Sequence, residues 1–136
     1  MDVAMPYCSL HYHLVWATSE RRPLLTPTLQ PTVYEILRTK GIGLGAMVHA
    51  IGGMPDHVHM AVTLPPTIAV STFVGQLKGV SSRKVHESHD PLFAWQSEYG
   101  AFTVHNSRLP TVIDYIARQV EHHANGTVIR DLERLT

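Results

Sequence analysis

LGAMVHAIGGMPDHVHMAVTL, residues 44–64, is the stretch on which the fold turns. Leu44 to Ile51 reads as a strand, Gly52-Gly53-Met54-Pro55-Asp56 as a turn, and His57 to Leu64 as a second strand, so the whole is a β-hairpin. On the N-terminal side, Leu29, Val33, Ile36, Leu37 and Lys40 recur at helical spacing until Gly41. Before that helix, Tyr7 to Ala17 is rich in aromatic and branched residues. It places Leu10, Tyr12 and Leu14 on one face of a strand, with His11 and His13 on the other. On the C-terminal side, Pro65-Pro66 breaks the chain, and Val70, Phe73, Val74, Leu77 and Val85 mark one face of a second helix. Tyr99 to Val104 reads as a fourth strand. Leu109, Pro110, Val112, Ile113, Ile116 and Val120 then open a third helix, about residues 109–125, which stops near Asn125-Gly126. A hairpin set between two strand–helix units predicts an α+β, ferredoxin-like (split βαβ) antiparallel sheet with two helices on one face and a C-terminal helix appended. That architecture serves many chemistries, so function has to be argued from side chains.

Composition narrows the classes. The chain has 136 residues, enough for a single domain spanning 1–136 with its own core. Hydrophobic residues at 44% and charged residues at 16% fit a folded, soluble protein. Cys8 is the one cysteine, which excludes an internal disulfide or a cysteine-based zinc site and favours a reducing, cytoplasmic setting. Every apolar segment is interrupted by His, Pro, Arg or Gln, so no membrane role is expected. Lys plus Arg equals Asp plus Glu at 11 each, and any nucleic-acid partner must therefore be held by a local basic patch. The ten histidines invite metal or phosphate chemistry.

Two features carry that chemistry. In His57-Val58-His59 the alternation of a strand sends both imidazoles to one face, about 6–7 Å apart at the backbone, where they can share a divalent ion or simply line an open sheet face. In the third helix, Tyr115, Arg118, Gln119 and His122 are spaced along a face distinct from the apolar stripe. By spacing alone, Tyr115 reads as a boundary core residue with its hydroxyl in water and Gln119 as an ordinary helix former. Asp56 adjoins the histidine pair but points to the other face of a regular strand. No carboxylate stands at a matching spacing, which counts against a zinc hydrolase.

Met54-Pro55-Asp56-His57-Val58-His59, Phe93-Ala94-Trp95-Gln96 with Tyr99-Gly100-Ala101-Phe102, and Tyr115-Ile116-x-x-Gln119 with Glu121-His122-His123 together resemble the single-tyrosine HUH transposases. These are small enzymes of insertion sequences that move as single-stranded DNA. The resemblance runs from Tyr12-His13-Leu14-Val15-Trp16 to about His123. It implies that His57, His59 and Gln119 bind a divalent metal, Mg²⁺ or Mn²⁺, and that Tyr115 attacks DNA to form a 5′-phosphotyrosine without ATP. It further implies a single-stranded DNA partner with hairpin ends and a homodimer. In some members the tyrosine helix of one subunit completes the site of the other, an exchange that the hinge Asn106-Ser107-Arg108 would permit. Arg21, Arg22, Lys78, Arg83, Lys84 and Arg118 are the candidate phosphate contacts, although each also reads as an ordinary solvated charge. A transposase-derived protein that binds hairpin DNA in a resident, non-mobilising role shares the same features.

Overall fold

The computed structural model describes residues 7–133. The sheet is built from β1 (His11–Ala17), β2 (Met47–Met54), β3 (His57–Thr63) and β4 (Gly100–Val104), antiparallel throughout in the order β2-β3-β1-β4. The helices are α1 (Gln30–Gly43), α2 (Val70–Ser88), α3 (Leu109–Ala117) and α4 (Gln119–Asn125). Short 3-10 turns occupy Ser19–Arg21, Asn106–Arg108 and Arg130–Glu133. This is the ferredoxin-like arrangement that the hairpin predicts.

Alternation along the strands separates two layers. Leu14 and Trp16 of β1, with Val58, Met60 and Val62 of β3, pack against Val33 and Leu37 of α1 and Phe73, Leu77 and Val85 of α2. Burial of these side chains at about 1.5–3 kcal/mol each supplies most of the driving force for folding. Phe93 joins that core. Trp95 is stacked edge-on to Trp16 and donates its indole N–H to Ser81 Oγ at 2.8 Å, which fastens the segment before β4 onto α2. On the opposite face, Ala50, Ala61 and Val104 meet Val112 and Ile116 of α3. Small residues at Ala50 and Ala61 let α3 lie close to the sheet, and His13, His57 and His59 share that face.

Several boundaries depart from expectation, among them the start of the second strand, at Met47 and not Leu44. The first strand starts at His11 and not at Tyr7, because Thr63, its partner across the ladder, is the last residue of β3. The second strand runs through Gly52 and Gly53 to Met54, so the predicted turn shrinks to Pro55-Asp56. Those glycines serve close approach: a Cβ on Gly52 would lie 2.2 Å from the Ile116 carbonyl oxygen, and one on Gly53 would lie 2.2 Å from that of His57. The fourth strand begins at Gly100 and not at Tyr99. Finally, the helix expected over about 109–125 is two helices, parted at Arg118 where φ is −113° and ψ is 30°. The break lets Tyr115 and Gln119 both face the sheet, while Arg118 swings outward to Asp114 and Glu121.

Candidate active site

The site is assembled on the α3 face of β3. His57 and His59 are 2% and 0% exposed, and Tyr115 and Gln119 on the helices above them are 3% and 1% exposed. Their proximity follows from the close seating of α3 at Gly52, which pairs with His59 across the β2–β3 ladder.

Each histidine is held from behind. Asp56 Oδ1 lies 2.7 Å from His57 Nδ1, and Arg21 Nε donates to Asp56 Oδ2 at 3.3 Å. The carboxylate therefore fixes the ring with Nε2 turned into the site. The expectation that Asp56 points away fails because Asp56 stands in the turn, outside the regular alternation of the strand. Arg21 reaches it from a loop in which Glu20 and Arg21 both adopt positive φ, 54° and 53°. His59 is braced by His13, whose Nε2 lies 2.8 Å from His59 Nδ1 with the rings stacked at 5.0 Å. Pairing of His13 with Ala61 sets its ring diagonally across from His59.

Gln119 Oε1 lies 3.3 Å from His57 Nε2 and 3.2 Å from His123 Nε2. Into the same space comes a carboxylate from the C-terminal turn. Glu133 Oε1 is 3.1 Å from His57 Nε2, and Glu133 Oε2 is 3.0 Å from His59 Nε2. Tyr115 donates its hydroxyl proton to Glu133 Oε2 at 2.6 Å and accepts the Ile129 N–H at 3.0 Å. His122 stacks on the Tyr115 ring at 4.6 Å. The presence of Glu133 corrects the expectation that no carboxylate reaches the histidines.

Electrostatics follow from burial and these partners. Burial opposes protonation of His57, but hydrogen bonds to Glu133 and Asp56 outweigh it and raise the pKa. For His59 burial prevails over the help from Glu133, and the pKa is lowered. His13 is brought down to about 3 by burial and by the neighbouring His59. Burial, reinforced by Glu133, pushes the Tyr115 phenol up to about 12. Burial would raise Glu133 too, yet the hydrogen bonds from His57 and His59 hold it well below the usual carboxylate range.

The candidate phosphate contacts are dispersed. Arg21 and Arg22 are exposed in the loop beside Asp56, and Arg118 is exposed with Glu121 at 2.7 Å. Lys78 instead turns inward. Its ammonium donates to the carbonyls of Gln96 and Glu98, each at 2.8 Å, and burial lowers its pKa. Arg83 lines a surface hollow of about 560 Å³ with Lys40 and Gln76, and Lys84 is exposed on the same helix. Both lie in the α1/α2 layer, across the sheet from Tyr115.

Sequence reasoning missed roles for Asp56, His13, His123 and Glu133. The i, i+4 spacing of Gln119 and His123 was a usable signal. Glu133 had none, because only the return of the chain after Gly126, at φ 68°, brings it to the histidines.

The chain has known relatives. A family profile described as "Transposase IS200 like" matches residues 6–119. The ISDra2 transposase TnpA of Deinococcus radiodurans is 30% identical over 117 residues, covering 81% of this chain and 84% of that protein. The transposase for insertion sequence element IS200 of Salmonella typhimurium is 30% identical over 122 residues, covering 85% and 80%. Among solved structures, a Deinococcus radiodurans protein described as a candidate transposase matches with a TM-score of 0.69 at 28% identity, over 88% of this chain and 98% of that one. A REP-associated tyrosine transposase bound to a REP hairpin shares the fold, with a TM-score of 0.66 at 17% identity over 90% and 74%.

Proposed function

The chain belongs to the IS200-like transposase family, and from that premise we propose that it cleaves and rejoins single-stranded DNA at insertion-sequence ends, with Tyr115 as the nucleophile. The observation that carries this reading is that Tyr115 and Gln119 stand over His57 and His59, all four buried together.

The donor set fits a divalent ion. His57 Nε2 lies 3.3 Å from Gln119 Oε1, and His57 Nε2 and His59 Nε2 each border an oxygen of Glu133; the two imidazoles and the amide are neutral when they ligate and suit Mg²⁺ or Mn²⁺ in a nitrogen and oxygen environment. An ion bound by these residues supplies Lewis-acid polarisation of a phosphate oxygen. The protein's own part is positioning. With its pKa near 12, Tyr115 is a neutral phenol at neutral pH, its proton directed at Glu133 Oε2. Attack by Tyr115 Oη on phosphorus forms the phosphotyrosine bond and breaks the bond to the 3′ oxygen, the proton given up by the phenol being balanced by the one that the 3′ oxygen takes up as it leaves as a hydroxyl. The product is a 5′-phosphotyrosine, so a 3′-hydroxyl from another strand reverses the step and joins DNA ends without ATP. Entry of the scissile phosphate requires Glu133 Oε2 to release the Tyr115 hydroxyl.

Hairpin DNA is the proposed partner, in keeping with the REP hairpin held by the fold neighbour. Arg21, Arg22 and Arg118 are placed to meet the single strand near Tyr115, while Arg83 and Lys84 offer charge for a duplex stem on the far layer; Lys78 acts through the carbonyls that it holds. Among the described residues no helix is long and apolar enough to cross a membrane. A homodimer is the proposed working form.

The test is incubation with labelled single-stranded DNA from the gene's flanks and Mg²⁺ or Mn²⁺, followed by denaturing electrophoresis. A covalent band lost in Tyr115→Phe is the expected result. A folded protein that binds hairpins tightly and forms no adduct would shift the assignment to a resident hairpin-binding role.

A further inference from the structure

The space between His57 and Tyr115 holds more donors than the three to which the metal is assigned above. His57 Nε2, Gln119 Oε1, His123 Nε2 and Glu133 Oε1 form a closed ring, with successive separations of 3.3, 3.2, 3.3 and 3.1 Å. Donors that sit next to one another around an ion at about 2.1 Å stand roughly 3.0–3.4 Å apart, whether the geometry is octahedral or tetrahedral. The four atoms are thus spaced as neighbouring ligands are.

We propose that His123 and Glu133 are themselves ligands of the divalent ion, adding to the His57, His59 and Gln119 assigned above. The inference deepens the metal-dependent reading and rests on it.

Three further observations support the assignment. Gln119 and His123 are one turn apart on α4, and the break at Arg118 delivers both to the histidines of β3. The contacts of His123 Nε2, to Gln119 Oε1 and Glu133 Oε1, both lie in the ring, so this ring nitrogen points into it. Glu133 places a carboxylate, with its side chain 16% exposed, among three imidazoles and an amide. An anion so enclosed needs positive charge at its side, and a divalent ion provides it. Its second oxygen meanwhile faces His59 Nε2 and the Tyr115 hydroxyl, which ties the nucleophile to the proposed ligand through one rigid group.

The experiment is Mn²⁺ titration of the full, EDTA-stripped chain, followed by electron paramagnetic resonance of free Mn²⁺, for the wild type, His57→Ala, His123→Ala, His123→Gln and Glu133→Gln. Loss of a true ligand should weaken binding by at least the roughly 10–100-fold seen when outer partners are removed. His123→Ala should show this in full, while His123→Gln and Glu133→Gln, which each keep an oxygen donor, should lose less, the latter through the missing carboxylate charge. With Cu²⁺ as the probe, the nitrogen hyperfine pattern should lose one imidazole in His123→Ala and none in Glu133→Gln. If His57→Ala loses binding while His123→Ala and Glu133→Gln bind Mn²⁺ as the wild type does, the two residues are hydrogen-bond partners only and the inference falls alone. If the wild type binds no Mn²⁺, or His57→Ala binds equally well, the metal-dependent reading falls with it.

Discussion

His57 is oriented by a carboxylate that stands behind the ring, away from the reacting atoms, and its value can be measured. Asp56→Ala removes the acceptor at Nδ1 and frees the ring to turn, so Mn²⁺ affinity should drop by about 10–100-fold in the same titration. Arg21→Ala removes only an exposed partner of Asp56, and its effect on thermal stability should stay within about 1 kcal/mol. A drop in affinity for Arg21→Ala as large as that for Asp56→Ala would mean that the arginine, and not the carboxylate, positions the ring. At this scale the sequence was partly legible. That His57 and His59 share a face could be read because a strand alternates, but their proposed role and that of Gln119 came from the family resemblance and not from spacing, whereas Asp56 was misread by applying strand alternation to a residue in a turn. Glu133 was invisible, since nothing within the sequence relates it to His57 or Tyr115 until the chain folds back.

Glycines distinguish the elements. Gly52 is where α3 rests on β2, and Gly52→Ala drives a methyl into the Ile116 carbonyl. Overpacking of this kind costs about 1–3 kcal/mol and should lower the melting temperature. It should also reduce covalent adduct formation more than DNA binding, because the helix that lifts is the one that bears Tyr115. Gly79, in the interior of α2, has open space where a methyl would stand and no positive φ. Gly79→Ala should therefore stabilise the fold by about 0.5–1 kcal/mol, read from urea unfolding. Adjacent glycines in a hairpin read as a turn from sequence because conformational freedom and close approach call for the same residue. Only the position of Ile116 tells them apart. The break at Arg118 was equally hidden, since the apolar stripe continues through it from Ile116 to Val120.

Across the whole molecule, the basic residues Arg83 and Lys84 lie on the side of the sheet opposite Tyr115. The order of elements made that sheet legible from sequence, but not which basic side chains stay free. The double variant Arg83→Ala/Lys84→Ala should weaken hairpin binding and lower its salt dependence by up to about two units of slope, while leaving adduct formation on a short unpaired strand intact. An unchanged salt slope would place the stem elsewhere. One consequence of the sheet's centre concerns time rather than force. His13 and His59 are both 0% exposed and their facing nitrogens are 2.8 Å apart, so whichever ring donates, one imidazole proton is trapped between them. That proton should appear as a separate downfield resonance that trades with deuterium only when the sheet as a whole opens. Its exchange rate would serve as a clock for global unfolding, running at the catalytic centre itself and needing no label.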